Sequence, residues 1–219
     1  MNEHAARDLL AELGELLYRR GYVHGSTGNL SVRLDDGYLV TPTNSCLGRL
    51  DPARISRLAA DGRLVDGDRP SKEAFLHLGV YAERPTARAI VHTHSTHSVA
   101  VSCLEGLDPA DCLPPYTAYY VMRVGRLPLI PYFRPGDERL AAAVREVASG
   151  HSAVLLANHG PVVAGSSLKD AVYALEELEE TAKLHFLLHG QRVRPLTRAQ
   201  LAELTVAFPS SAGRAALRR

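Results

Sequence analysis

Three histidines offer the most specific chemistry in this chain: His92 and His94 in AIVHTHS, and His159 at the end of AVLLANHG. Residues i and i+2 of a strand project from the same face. Two imidazoles from one strand and a third from a neighbouring strand end can therefore close a tripod around one divalent cation. Three protein ligands with an open fourth position suit a catalytic metal rather than a structural one. Histidine also fills hydrogen-bonded core positions, and the chain has 10 of them, so His-x-His alone is ambiguous. The second strand end favours ligation, because Gly160 directly follows His159 and leaves room for side chains to enter a cleft.

Polar loops upstream could hold an anion. In HGSTGNLS the run Gly25, Ser26, Thr27, Gly28, Asn29 supplies backbone N–H groups, hydroxyls and one amide without bulk. TPTNS adds Thr41, Thr43, Asn44 and Ser45, and Ser71 is expected to open a helix whose N-terminal amides favour negative charge. Each loop alone reads equally as a turn or cap. Glu73 falls in the first turn of that expected helix, where a carboxylate serves either as a dipole-complementing group or as an acid/base.

These residues need rigid elements to position them. Ala6, Leu9, Leu10, Leu13, Leu16 and Leu17 recur at helical spacing over residues 3–20. NLSVRL and YLVTP flank Asp35-Asp36-Gly37 as one hairpin, and ISRLAADGRLVDG reads as a second around Asp61-Gly62. Next come a helix from Ser71, the strand AIVHTH, a helix from Thr96 to Leu104, the short strand LPLIPY and a helix from Asp137 to Ala148. Two strands around Asn158-His159-Gly160 and a long helix from Leu168 to Leu188 complete the pattern. The mixture predicts an α/β fold.

The 219 residues, 46% hydrophobic and 22% charged, fit a single domain with a sizeable core. A net charge of +1 supplies no basic field for nucleic acid, and no apolar run is long enough to cross a bilayer. The first residues, MNEHAARDLLAELG, do not read as a signal peptide, and Cys46, Cys103 and Cys112 are odd in number and unpatterned. The expectation is a cytoplasmic protein with reduced thiols. After Gly190 the chain turns basic, with Arg192, Arg194, Arg198, Arg214, Arg218 and Arg219 in a tail that reads as solvated or subunit-contacting.

HGSTGNLS, TPTNS, SKE, HTHS and NHG follow the order and approximate spacing of the class II aldolase/adducin family, and the chain resembles it from Leu9 to Leu188. The resemblance implies a three-layer α/β fold with a central, largely antiparallel sheet flanked by helices. It implies a catalytic unit over residues 1–190, with the segment 191–219 packed on or between subunits of a homotetramer whose active sites lie between subunits. By the same resemblance His92, His94 and His159 bind Zn²⁺, with Mn²⁺ or Co²⁺ as alternatives. Glu73 is then the acid/base and a metal ligand when substrate is absent, and Asn29, Thr43, Asn44 and Ser71 contact a substrate phosphate.

Two departures narrow the branch. Asn44 and Lys72 stand where sugar-phosphate aldolases of the family tend to have Gly and Ser. Lys72 either holds a substrate carboxylate or faces solvent from its helix. Longer stretches, RGYVHGSTGNLSVRLDDGYLVTPTNSCLGRLDP, LPPYTAYYVMRVGRLPLIPYFRPGD and LLANHGPVVAG, resemble a branch that decarboxylates a 3-oxo-tetronate 4-phosphate. That resemblance implies a lyase acting on a small sugar-acid phosphate in four-carbon sugar-acid catabolism. The alternatives are a sugar-phosphate aldolase or epimerase acting on fuculose or ribulose phosphate, and a non-catalytic adducin-like module. Tyr116, Tyr119 and Tyr120 are candidates either for a phenol reaching a neighbouring subunit or for packing. His97 is read as supporting the site rather than ligating.

Overall fold

The computed structural model describes residues 2–134 and 136–208. Helix α1 (Glu3–Arg19) starts where Asn2 accepts the Ala5 N–H at 2.8 Å, and it buries Ala6, Leu10, Leu13 and Leu17 along one stripe. Two hairpins follow, β1 (Asn29–Arg33) with β2 (Gly37–Val40) and β3 (Ser56–Ala59) with β4 (Leu64–Asp66). After them come α2 (Ala74–Glu83), β5 (Ala89–His92), α3 (Thr96–Ser102), α4 (Ala118–Arg123), β6 (Leu129–Ile130) and α5 (Arg139–Ala148). The hairpin β7 (Ala153–Leu156) with β8 (Gly160–Gly165), then α6 (Leu168–Leu187) and α7 (Arg198–Ala207), complete the order.

All eight strands form one sheet in the order β4-β3-β2-β1-β5-β8-β7-β6. Every pair is antiparallel except β6 with β7. Alternation along the strands divides the core. Ala89, Val91, Leu155 and Val163 join the cluster built on α1, α3, α4 and α6, whereas Ile90, Val154, Leu156 and Val162 pack with Leu76 and Val80 of α2 and Leu140 and Val144 of α5. The result is the three-layer α/β fold with a largely antiparallel sheet that the sequence implies. No helix among the described residues is long and apolar enough to cross a membrane.

Helix α2 begins at Ala74 rather than Ser71. Pro70 bridges Pro42 and the Ser71 N–H donates to Thr41 O at 3.1 Å, so the chain stays tied to the loop after β2 until Lys72. Glu73 is therefore the N-cap residue rather than part of the first turn, and its side chain caps nothing. Helices α4 and α7 were not expected from the sequence. Thr197 and Gln200 form a capping box that starts α7, which packs on α4 without burying any of its own residues. Arg214, Arg218 and Arg219 lie outside the described residues.

Candidate metal centre

The antiparallel registers at the end of β5 assemble the site. Asn29 on β1 pairs with His92, and His92 pairs with Val162 on β8, so the turn that carries His159 stands next to the His92 strand end. Two glycines permit the close approach. Gly28 has φ 78°, and a Cβ there would lie 2.9 Å from His92 O. Gly160 has φ 155°, and a Cβ would meet Thr93 O at 2.3 Å. His94 lies just past β5, in the extended link to α3, and still faces the same cleft as His92.

The ligand nitrogens of His92, His94 and His159 lie within 4.8 Å of one another, and His92 Nε2 is 3.1 Å from His94 Nε2. Their rings stand edge to face, with centroids 4.7 to 5.0 Å apart. The Pro161 carbonyl, which can only accept, lies 2.8 Å from His92 Nδ1. Nδ1 must therefore carry the proton and Nε2 the lone pair, the tautomer a metal ligand needs. Burial pushes the His92 imidazole below its usual range despite the opposing Glu73 charge. Burial, followed by the charges of His92 and His159, lowers His94 to about 3. Three converging imidazoles, with the His92 Nε2 oriented by its Nδ1 partner, fit one divalent cation.

Glu73 faces the three rings. Its Oε1 is 3.3 Å from His159 Nε2 and its Oε2 is 3.5 Å from His92 Nε2, while Asn29 Nδ2 donates to Oε2 at 2.7 Å. Burial alone pushes this carboxyl up; its electrostatic attraction to the His92 ring, the His159 hydrogen bond and the Asn29 amide outweigh it, so the group sits well below the usual carboxylate range. The carboxylate is ionised and held from two sides.

The loops expected to bind an anion divide in the structure. Asn29 is buried against Glu73 and its Oδ1 has no partner, so it belongs to the metal end of the site. Thr43 N–H donates to Arg69 O at 2.9 Å, and Pro70 and Ser71 lie across from Pro42 and Thr41, which brings the TPTN loop beside Ser71. Thr41 itself is consumed, because its hydroxyl accepts the Leu30 N–H at 3.1 Å. The Ser71 hydroxyl accepts the Glu73 N–H at 3.2 Å. Asn44 adopts φ 57° and is exposed, and Lys72 is exposed as well. Thr27 closes a local turn on His24 instead of opening a nest.

Several supporting groups were not legible in the sequence. Glu179 on α6 is buried and accepts four hydrogen bonds, from His97 N, His97 Nδ1, Ser98 N and Ser98 Oγ, which anchors the start of α3 directly after the ligand run. His97 is thus a supporting residue outside the tripod. His77 is fully buried, and burial, then the neighbouring His92 charge, lowers it to about 3 against the opposing pull of Glu73. Of the three tyrosines, Tyr120 is buried in the core and Tyr116 Oη pairs with His185 Nδ1 at 3.0 Å, while Tyr119 is 63% exposed.

Residues 8–186 match the family model described as Class II Aldolase and Adducin N-terminal domain, and the chain belongs to that family. It is 52% identical over 203 residues to the 3-oxo-tetronate 4-phosphate decarboxylase of Escherichia coli strain K12, covering 92% of this chain and 96% of that protein. The crystal structure of Escherichia coli YgbL aligns with a TM-score of 0.91 at 50% identity, covering 92% of this chain and 98% of that one. The L-fuculose phosphate aldolase of Haemophilus influenzae is more distant, at 33% identity over 83% of each chain.

Proposed function

We propose that this protein decarboxylates 3-oxo-tetronate 4-phosphate to dihydroxyacetone phosphate and CO₂, acting as a zinc-dependent carbon–carbon lyase in four-carbon sugar-acid catabolism. The observation that carries this reading is the 52% identity, across more than nine-tenths of both chains, to a relative of that name. The aldolase reading draws on L-fuculose phosphate aldolases at 33% and 36% identity. A non-catalytic module has no use for three converging imidazoles opposite an ionised carboxylate.

His92, His94 and His159 would hold the metal, and Glu73 would be a further ligand when substrate is absent; Zn²⁺ suits the nitrogen donors best, with Mn²⁺ and Co²⁺ as alternatives. A divalent cation there supplies Lewis-acid stabilisation of negative charge on substrate oxygens. In the reaction the C1–C2 bond breaks, CO₂ leaves, and the electron pair is shared between C2 and the C3 carbonyl as an enediolate. A proton added at C2 yields dihydroxyacetone phosphate. Glu73 relays that proton to C2 from solvent, which supplies the one proton the reaction consumes. Asn29 fixes the carboxylate oxygen that faces the site.

Thr43, Asn44, Ser71 and Asn29 contact the substrate phosphate in this reading, which the pairing of the Thr43 loop with the Arg69–Ser71 segment supports. Lys72, exposed beside them, holds the leaving carboxylate. The assembly is a homotetramer with active sites between subunits, and of the three candidate tyrosines Tyr119 is the exposed one. Residues 1–190 are the catalytic unit, and the segment from 191 packs on or between subunits, a reading that the packing of α7 on α4 supports for its described part.

Two variants test the site. Glu73→Gln keeps size and polarity but removes the titrating group, so turnover should fall at least about a hundredfold. His94→Ala should lose most of its zinc and nearly all turnover while its far-ultraviolet dichroism stays that of the parent. Parent-like turnover in either variant contradicts the assigned role.

A further inference from the structure

Strand β1 and helix α2 are joined by a polar ladder that extends away from the metal centre. Residues 29, 31 and 33 share one face of β1, and residues 73, 77 and 81 share one side of α2 and its cap. The spacings match, since two strand residues advance about 6.7 Å and four helical residues about 6 Å. The first rung is Asn29 Nδ2 donating to Glu73 Oε2 at 2.7 Å. The second is Ser31 Oγ, 2.7 Å from His77 Nδ1 and 2.8 Å from Tyr81 Oη. The third is Arg33, whose guanidinium donates to the Tyr81 carbonyl and lies over the Tyr81 ring at 4.7 Å from its centroid.

The middle rung is costly if its purpose is stability alone. His77 and Ser31 are both fully buried, and His77 Nε2 has no hydrogen-bond partner among the described residues. An apolar pair of similar volume would fill the space without desolvating an imidazole, and such replacements are nearly neutral or stabilising. What the polar pair adds is direction. A hydrogen bond between a strand and a helix fixes their relative slide and rotation, whereas apolar contacts tolerate small shifts. Glu73 stands one turn beyond that bond, at the helix start, where a small rotation of α2 moves its carboxylate across the cleft.

We propose that His77 is a positioning residue for Glu73: its hydrogen bond to Ser31 locks α2 against β1 and sets the carboxylate between Asn29, His92 and His159. His77 touches neither substrate nor metal, and it acts only through Glu73. The inference rests on the reading of Glu73 as the proton-transfer group.

The test combines kinetics with a structure. His77→Leu fills the site without the hydrogen bond, and His77→Asn places an amide nitrogen near the position of Nδ1. In His77→Leu, kcat should fall about 10- to 30-fold with KM within about threefold of the parent, because misplacement by a fraction of an ångström affects the chemical step more than binding. His77→Asn should recover kcat to within about threefold of the parent. In a Glu73→Gln background His77→Leu should cost nothing more, since the group it positions is already gone. A crystal structure of metal-free His77→Leu should show the Asn29–Glu73 contact opened beyond about 3.5 Å.

Parent-like kcat in His77→Leu, equal losses in the Leu and Asn variants, or an undiminished loss in the Glu73→Gln background would each overturn the proposal. Glu73→Gln with parent-like turnover would instead overturn the proton-transfer reading on which it rests. If His77→Leu does not fold, His77→Met removes the same hydrogen bond, leaves the Ser31–Tyr81 contact in place and should show the same loss of kcat.

Discussion

Gly160→Ala puts one methyl group between the two strand ends that carry His92, His94 and His159. Its Cβ would sit 2.3 Å from Thr93 O, where real Cβ contacts stay beyond 3.0 Å, and the atom it meets is backbone between His92 and His94. The strand ends must therefore part by at least about 0.7 Å, and φ 155° adds strain for any residue with a side chain. Zinc–nitrogen distances hold to about 0.2 Å, so a displacement several times larger at His159 cannot be absorbed by the bonds. Zinc affinity should weaken about a hundredfold or more. The overpacking and strain together cost about 2–4 kcal/mol, which lowers the melting temperature of a chain this size by about 5–15 °C. Chelator-competition titration reads the affinity, and calorimetry reads the stability. Gly106→Ala is the control, because Gly106 has φ 75° with nothing within 4 Å of the added Cβ, and it should lose about 1 kcal/mol and no zinc affinity. A Gly160→Ala protein that binds zinc within threefold of the parent would refute the claim that close approach of these strand ends shapes the tripod.

Lys72→Ser should raise KM for the 3-oxo acid while leaving the binding of dihydroxyacetone phosphate nearly unchanged, because the product keeps the phosphate and lacks the carboxylate; equal weakening of both ligands would remove Lys72 from carboxylate recognition. The metal-free protein should lose stability as pH falls from 7 to 5. His77 drops from an ordinary 6.5 when unfolded to about 3 when folded, so the unfolded state binds a proton that the native state does not, and His77 alone contributes a loss of about 2 kcal/mol over that window. Urea unfolding at the two pH values measures it, and equal stabilities would mean that His77 is not held neutral.

The parts of this molecule that follow local rules were legible in its sequence, and the parts set by pairing between distant segments were not. Apolar periodicity located α1 and α6, and alternation with turn residues located both upstream hairpins, because each signal is complete within one segment. The tripod was legible for a similar reason: His-x-His and Asn-His-Gly mark strand ends. Glu73 was legible only as one of two possibilities. Its departure from the capping role comes from the bond between Ser71 N and Thr41 O, which delays the helix, and no local pattern announces a bond between residues thirty apart. Helix α4 was hidden because PPYTAYY starts with two prolines and is rich in β-favouring tyrosine, and a Thr117 cap decides the matter. The Asn29/Ser31 and Glu73/His77 spacings were visible as i+2 and i+4 pairs. Their meaning needed the knowledge that β1 lies under α2.

Product analysis separates decarboxylation from aldol chemistry at this site. Zinc-loaded protein incubated with each enantiomer of 3-oxo-tetronate 4-phosphate should release CO₂ and dihydroxyacetone phosphate in equal amounts from at least one of them. Chelation should abolish the release, and added zinc should restore it. Absence of CO₂ from both enantiomers, together with aldehyde-dependent consumption of dihydroxyacetone phosphate by the same zinc-loaded protein, would contradict the account and assign the site to aldol chemistry.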